Sequence, residues 1–129
     1  MREILFRGID VTTREWAEGF YFEEAGSFIK EKPSSVSTPT HLVVPKTVGQ
    51  YTGLTDKNGT KIFEGDILDC GDRVVYVKWH DQCGTWDCTF IRYKGKLCSN
   101  GITPVEWKYR AVVIGNIHDD PELLKGGDE

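Results

Sequence analysis

Two parts of the sequence contain side chains that could bind a metal ion, and calcium is the first candidate ion. Residues 56–66, DKNGTKIFEGD, supply the carboxylate and amide oxygens that calcium prefers. When Gly59 is placed at position 6 of a calcium-binding loop, position 1 falls on Leu54 and position 12 on Gly65, which have no side-chain oxygen. We therefore interpret the segment as a turn, because Asp and Asn side chains hydrogen-bond the backbone of turns.

Zinc is the second candidate, because histidine and cysteine are among its usual ligands. The available side chains are His80, Cys83, Cys88, Cys70 and Cys98. Their spacing lacks the paired C-x2-C motifs that hold structural zinc sites, so we predict no metal site. The first residues also lack the apolar run of a secretory signal, so we expect a cytoplasmic protein whose cysteines are free thiols.

A cysteine or histidine beside an acid would be suited to catalysis. The candidates are Cys83, His80 and His118, combined with Asp66, Asp69, Asp81 or Asp119. No spacing selects one pair among them, and the glycine-rich loops that bind phosphate groups are absent from the sequence. We predict no catalytic, cofactor-binding or metal-binding residues and a protein that is not an enzyme; a metal- or cysteine-dependent enzyme is the weaker alternative.

Aromatic and basic residues in the second half of the chain would suit the binding of nucleic acid by a small barrel. They are Tyr76, Trp79, Arg92, Tyr93, Lys94, Lys96, Trp107, Lys108 and Arg110. Side chains alternate between the two faces of a strand, so about half of these aromatics should pack in the core. Residues 1–118 hold 15 acids and 15 bases, and this neutral balance does not favour binding to phosphates.

Short strands separated by turns must position these residues. The chain is rich in aromatic and β-branched side chains and contains 14 Gly and 5 Pro, which favours an all-β fold. We predict an N-terminal hairpin from residues 2–9 and 16–24, a Ser/Pro-rich loop at 31–40, a tight hairpin at Asn58-Gly59 and a helical turn after Asp119. Further strands are predicted at residues 41–45, 48–54, 74–79, 87–93 and 111–117. No stretch is long and apolar enough for a membrane span.

Five segments in chain order resemble the YopX family of phage and prophage proteins. They are residues 2–8 (REILFRG), 47–54 (TVGQYTGL), 56–59 (DKNG), 62–67 (IFEGDI) and 113–124 (VIGNIHDDPELL). The resemblance implies a mainly β protein, with an N-terminal β segment at 1–45 followed by an SH3-like β-barrel at 46–129, and it implies oligomerisation. It supplies no catalytic residues, because the family has no assigned activity.

The sequence thus predicts a non-catalytic phage or prophage protein of unknown function. We expect it to act by self-assembly or by binding an unidentified host or phage protein, through a strand edge or a barrel groove. Nucleic-acid binding is the alternative, and no membrane partner is expected.

Overall fold

A computed structural model describes residues 3–31, 38–71, 73–82, 84–93 and 107–124 of the chain. The predicted mainly β class, with little helix, is confirmed. The described strands form two antiparallel sheets, and the described residues also contain one short α-helix. The described strands do not form a closed barrel. The chain divides into two compact units, Met1–Tyr51 and Thr52–Glu129, and the boundary falls inside one strand.

The larger sheet has six strands in the order β4-β3-β2-β1-β5-β6, and the first unit contains β1 to β4 and the start of β5. The predicted N-terminal hairpin is confirmed, whereas β3 was not predicted. Most of the predicted loop at 31–40 lies outside the described residues, and β4 begins at its last position. The strands are β1 (Phe6–Ile9), β2 (Trp16–Glu23), β3 (Ser27–Lys30), β4 (Thr40–Leu42) and β5 (Gly49–Thr55), with a short 3-10 helix at Pro45–Thr47.

One face of this sheet forms the core of the first unit. Ala17, Ile29 and Val43 are buried, because alternate residues of a strand point to the same side of the sheet. The partly buried side chains of Phe6, Tyr21 and Val48 pack against them. Burying a side chain of the size of Ile29 or Val43 contributes about 1.5–3 kcal/mol, so this cluster stabilises the unit.

The second unit contains the remaining strands, and four of them form a sheet with the order β10-β7-β8-β9. The strands predicted at 74–79, 87–93 and 111–117 are confirmed. The predicted helical turn near the C terminus is a 3-10 helix at Pro121–Leu124. The other elements are β6 (Lys61–Phe63), β7 (Asp66–Asp69), β8 (Arg73–His80), β9 (Thr85–Tyr93), α1 (Trp107–Arg110) and β10 (Val112–Asn116).

Strand β8 sends alternate side chains into two hydrophobic clusters of the second unit. Val75 and Val77 belong to a cluster that also contains Ile62, Leu68, Cys70, Trp107 and Ala111. Val74 belongs to a second cluster, with Ile67 and Ile91. A strand with apolar residues on both faces reads as a continuous run of β-branched residues, which explains why this strand was predictable.

The Asn-Gly hairpin is present, but only its glycine adopts a positive φ. Gly59 has φ +85, whereas Asn58 is not among the residues with positive φ. The Asp56 N–H donates to the Thr60 carbonyl at 2.9 Å, and the Gly59 N–H donates to the Asp56 carbonyl at 3.0 Å. One left-handed glycine at the end of the turn is typical of a longer hairpin loop than the two-residue type.

Gly19 in β2 is required by a close approach of β3. A Cβ atom at this position would lie 2.1 Å from the Lys30 carbonyl oxygen, which belongs to the backbone and cannot rotate away. We expect Gly19→Ala to lower the free energy of unfolding by about 1–3 kcal/mol, as other overpacked sites do. Urea denaturation measures this change. Gly26→Ala is the control, because its Cβ would meet the flexible end of Leu42 at 3.2 Å; an equal loss in both variants would contradict the backbone clash.

Candidate interaction surface

The segment that resembles a calcium loop is a turn whose carboxylate is already occupied by backbone donors. Asp56 is only 2% exposed. Its Oδ1 accepts the N–H groups of Asn58 at 2.8 Å and Thr60 at 2.9 Å, and its Oδ2 accepts the Val113 N–H at 2.9 Å. The carboxylate therefore fixes the turn and also attaches it to β10.

The acids considered as partners of a catalytic Cys or His serve mainly as hydrogen-bond acceptors in turns. Asp66 is 1% exposed and accepts the Phe63 N–H at 2.7 Å. Asp69 accepts the Gly71 N–H at 2.9 Å in a solvent-exposed hydrogen bond. Asp119 accepts from the Asn116 side-chain amide at 3.0 Å. Asp81 is exposed and His80 half-buried at the end of β8, and Cys83 lies outside the described residues.

The side chains that we considered as zinc ligands and rejected on their spacing include Cys70 and Cys88. Within the described part of the chain, no group of three His, Cys, Asp or Glu side chains is arranged to hold a metal ion. Cys70 is buried and Cys88 is half-buried. Both pack in the first hydrophobic cluster of the second unit, where a thiol serves as a small apolar group. Cys98, like Cys83, is outside the described residues.

The aromatic and basic residues considered for nucleic-acid binding are divided between core and solvent. Trp107 is fully buried and Tyr76 packs against the second cluster, whereas Trp79 is 41% exposed. Trp79 lies edge-on to Trp86 with ring centroids 5.0 Å apart. Lys108 is exposed and Arg110 is half-buried. The side chains of Arg92 and Tyr93, and the residues Lys94 and Lys96, fall outside the described part.

The first unit carries an exposed apolar surface that the sequence did not predict. The register pairs Phe22 of β2 with Phe28 of β3, and Phe28 with Leu42 of β4, so these three side chains form one row across the sheet. Phe20 precedes Phe22 by two residues and lies on the same face. We call Phe20, Phe22, Phe28 and Leu42 the aromatic face.

The aromatic face is solvent-accessible and locally ordered. Phe20, Phe22 and Leu42 are 47%, 38% and 44% exposed. The rings of Phe22 and Phe28 stack with centroids 5.2 Å apart and an interplanar angle of 14°. Contiguous apolar patches on soluble proteins usually mark interaction sites, whereas single exposed apolar residues are common.

Polar and cationic side chains border the aromatic face. Lys30 lies directly opposite Phe20 in the register, and Glu18 precedes Phe20 by two residues. Both side chains are exposed. Further along the same face, the Arg7 guanidinium carbon lies 4.5 Å from the centroid of the Trp16 ring. An apolar centre with a polar rim is the usual composition of a protein–protein interface.

One signal in the sequence could have revealed this face. In the segment WAEGFYF, residues 16–22, aromatic side chains occupy both sets of alternate positions. A strand in a small sheet normally buries one face, so aromatics on both faces indicate that one set is exposed or covered by a partner.

On the opposite side of β4, His41 lies between two carboxylates. Its Nδ1 is 2.7 Å from Asp10 Oδ2, and its Nε2 is 2.7 Å from Glu31 Oε2. The pKa of His41 is raised above its usual 6.5, mainly by the hydrogen bond to Glu31 and secondly by the hydrogen bond to Asp10. The N–H of Thr13, the imidazole and the N–H of Thr12 lower the pKa of Asp10 to about 2.

The geometry defines a mainly β protein with two antiparallel sheets and an exposed aromatic face on the first of them. None of the helices in the described ranges has the length and apolar character to cross a membrane. Residues 5–125 match the family model described as YopX protein, and the chain therefore belongs to the YopX family, as the sequence segments indicated. It is also similar to the crystal structure of protein EF1440 from Enterococcus faecalis, with 26% identity, a TM-score of 0.58, and coverage of 97% of this chain and 100% of that one. No curated protein matches the chain.

We expect Asp56→Ala to lower the free energy of unfolding by about 2–4 kcal/mol, because three backbone donors would lose a charged acceptor. Urea denaturation measures the loss.

We further expect millimolar calcium and chelator to give the same melting temperature for the native chain, since both carboxylate oxygens of Asp56 already accept hydrogen bonds. A rise in melting temperature with calcium would contradict the assignment of Asp56 to the turn alone.

Proposed function

We propose that the protein is a non-catalytic, phage- or prophage-encoded module that acts by protein–protein binding, and that it associates with itself through the aromatic face. The observation that carries this proposal is the cross-strand row of Phe22, Phe28 and Leu42, extended by Phe20. We place its action in the cytoplasm of the host cell, in keeping with the resemblance of the sequence to phage and prophage proteins. An SH3-like arrangement of the second unit stays a prediction of the family resemblance.

The aromatic face has the properties of an energetic centre of an interface. Fully burying one exposed Phe or Leu side chain is worth about 1.5–3 kcal/mol, and three members of the face are more than one-third exposed. The Phe22–Phe28 stack and the sheet backbone hold these side chains in place before binding. Association therefore loses less side-chain entropy than it would with flexible residues.

The charges around the face favour a second copy of this chain as the partner. Glu18 and Lys30 carry opposite charges and are both exposed. Glu18 precedes Phe20 by two residues on β2, and Lys30 lies opposite Phe20 on β3. In a two-fold interface, residue i of one copy meets residue j of the other and the reverse contact follows by symmetry. Glu18 of each copy can then pair with Lys30 of the other around an apolar centre.

The strand edge predicted as a binding site is a weaker candidate in the first unit. β4 is an edge strand of this sheet but has only three residues, Thr40–Leu42. Short edge strands offer few backbone groups for pairing with another chain. The broad side-chain surface is therefore better suited to a stable interface than the backbone edge.

We expect Phe20→Glu to weaken self-association about tenfold or more, because it places a charge in the centre of the proposed interface. The fold should survive, because residue 20 faces Lys30 across the strands and the new carboxylate gains an opposite charge there. Sedimentation equilibrium of the native chain and the variant measures the association constants. Circular dichroism and melting temperature confirm that the variant is folded.

Tyr109→Glu is the matched control, since Tyr109 is an aromatic residue that is 72% exposed and lies in the second unit. It should associate as the native chain does. An undiminished association constant in Phe20→Glu, or a native chain that stays monomeric at high concentration, would contradict the proposed interface. Reproducible turnover in a broad hydrolase screen would contradict the non-catalytic assignment, and salt-sensitive retention of nucleic acid would favour the alternative function.

A further inference from the structure

The contacts of His41 require a charged imidazolium ring. Each ring nitrogen lies 2.7 Å from a carboxylate oxygen, one from Asp10 and one from Glu31. A neutral imidazole has one N–H donor and one acceptor nitrogen, and an ionised carboxylate can only accept. Both contacts are therefore satisfied only when His41 carries a proton on each nitrogen.

The imidazolium of His41 joins β4 to Asp10 and Glu31, the residues that directly follow β1 and β3. Asp10 follows β1 and accepts the N–H groups of Thr12 at 2.7 Å and Thr13 at 3.0 Å, which fixes the start of the β1–β2 connection. Glu31 directly follows β3. β4 pairs with β3 over three residues, and on its other side the Leu42 carbonyl accepts the Val11 N–H at 2.9 Å. The His41 contacts with Asp10 and Glu31 thus add side-chain hydrogen bonds to the same two neighbouring segments.

His41 and Leu42 are adjacent residues on opposite sides of the same strand. His41 pairs with Ile29, a member of the buried cluster, whereas Leu42 pairs with Phe28 of the aromatic face. A shift of β4 caused by loss of a His41 contact would therefore also displace Leu42, because the strand backbone joins the two side chains.

We propose that the protonation state of His41 regulates the aromatic face: the charged ring holds β4 and Leu42 in place, and loss of its proton loosens them and weakens binding. This inference rests on the proposed function. Among the described residues, the titratable groups in contact with the ring are Asp10 and Glu31; β3 presents Ile29 beside it, and its neighbours on β4 are uncharged.

The pH window follows from the direction of each shift. Because Glu31 and Asp10 raise the pKa of His41, its contribution is complete below pH 6.5 and is lost as the pH rises through the higher pKa of the folded chain. The pKa of Asp10 is lowered to about 2, so its contribution is lost only as the pH falls from 3.8 toward that value. Of these two groups, only His41 therefore contributes to a transition on the alkaline side of 6.5.

The experiment follows the His41 ring and the Leu42 methyl groups by NMR from about pH 5 to about pH 9, across the titration range of a histidine. It uses the full-length Phe20→Glu variant, so that the measurement does not depend on association. We expect the Leu42 methyl shifts to titrate with the same midpoint as His41, above 6.5. Glu31→Gln keeps an oxygen acceptor but removes the charge, and it should move both midpoints down together.

Glu15→Gln is the control, because it makes the same change at an exposed residue of the same unit outside the contacts of His41; neither midpoint should move. Sedimentation of the chain with Phe20 intact should show weaker association above the His41 midpoint. The proposed regulation would be overturned if the Leu42 methyl shifts did not change with the His41 titration, or if Glu31→Gln left the midpoint unchanged. Either result would leave the proposed self-association intact. A chain with Phe20 intact that is monomeric at every pH would overturn the proposed function and the regulation with it.

Discussion

The register of the β2, β3 and β4 strands controls the chemistry of both faces of the first unit's sheet. It places Ile29 in the buried cluster and Phe28, its neighbour along the chain, in the exposed row. A slip of one residue would exchange these two side chains between core and solvent. Since Gly19 admits the Lys30 carbonyl at a distance where no Cβ fits, the backbone also enforces this pairing. Core packing and surface composition are therefore consequences of one alignment.

In the second unit, buried carboxylates organise the turns that connect the strands. Asp56 binds three backbone amides from two segments that are far apart in the sequence, and Asp66 caps the turn that leads into β7. Each carboxylate satisfies donors that would otherwise be buried without a partner, which would cost about 1–3 kcal/mol apiece. The segment that most resembles the family is thus explained by turn formation, without any ligand.

Sequence reasoning succeeded where a local pattern determines structure and failed where a distant contact does. The β-branched run of β8 and the turn at Gly59 need only their own residues to be recognised. Strand β3 has four residues beside a Ser/Pro-rich segment, so its local signal is short, and only pairing with β2 defines it. The contact between Asp10 and His41 joins residues 31 positions apart, which no local pattern can indicate.

The aromatic face was missed for a related reason: hydrophobic alternation identifies two faces of a strand but does not tell which one is covered. In β2 both faces carry aromatic side chains, and the choice is made by Val43 and Ile29, which supply a core on one side only. The same alternation puts His41 and Leu42 on opposite sides of β4. The Leu42 carbonyl accepts the Val11 N–H, and His41 Nδ1 lies 2.7 Å from Asp10 Oδ2, so the segment that follows β1 contacts β4 through both its backbone and the His41 ring. This proximity is the physical basis for the proposed coupling between the charge of His41 and the position of Leu42.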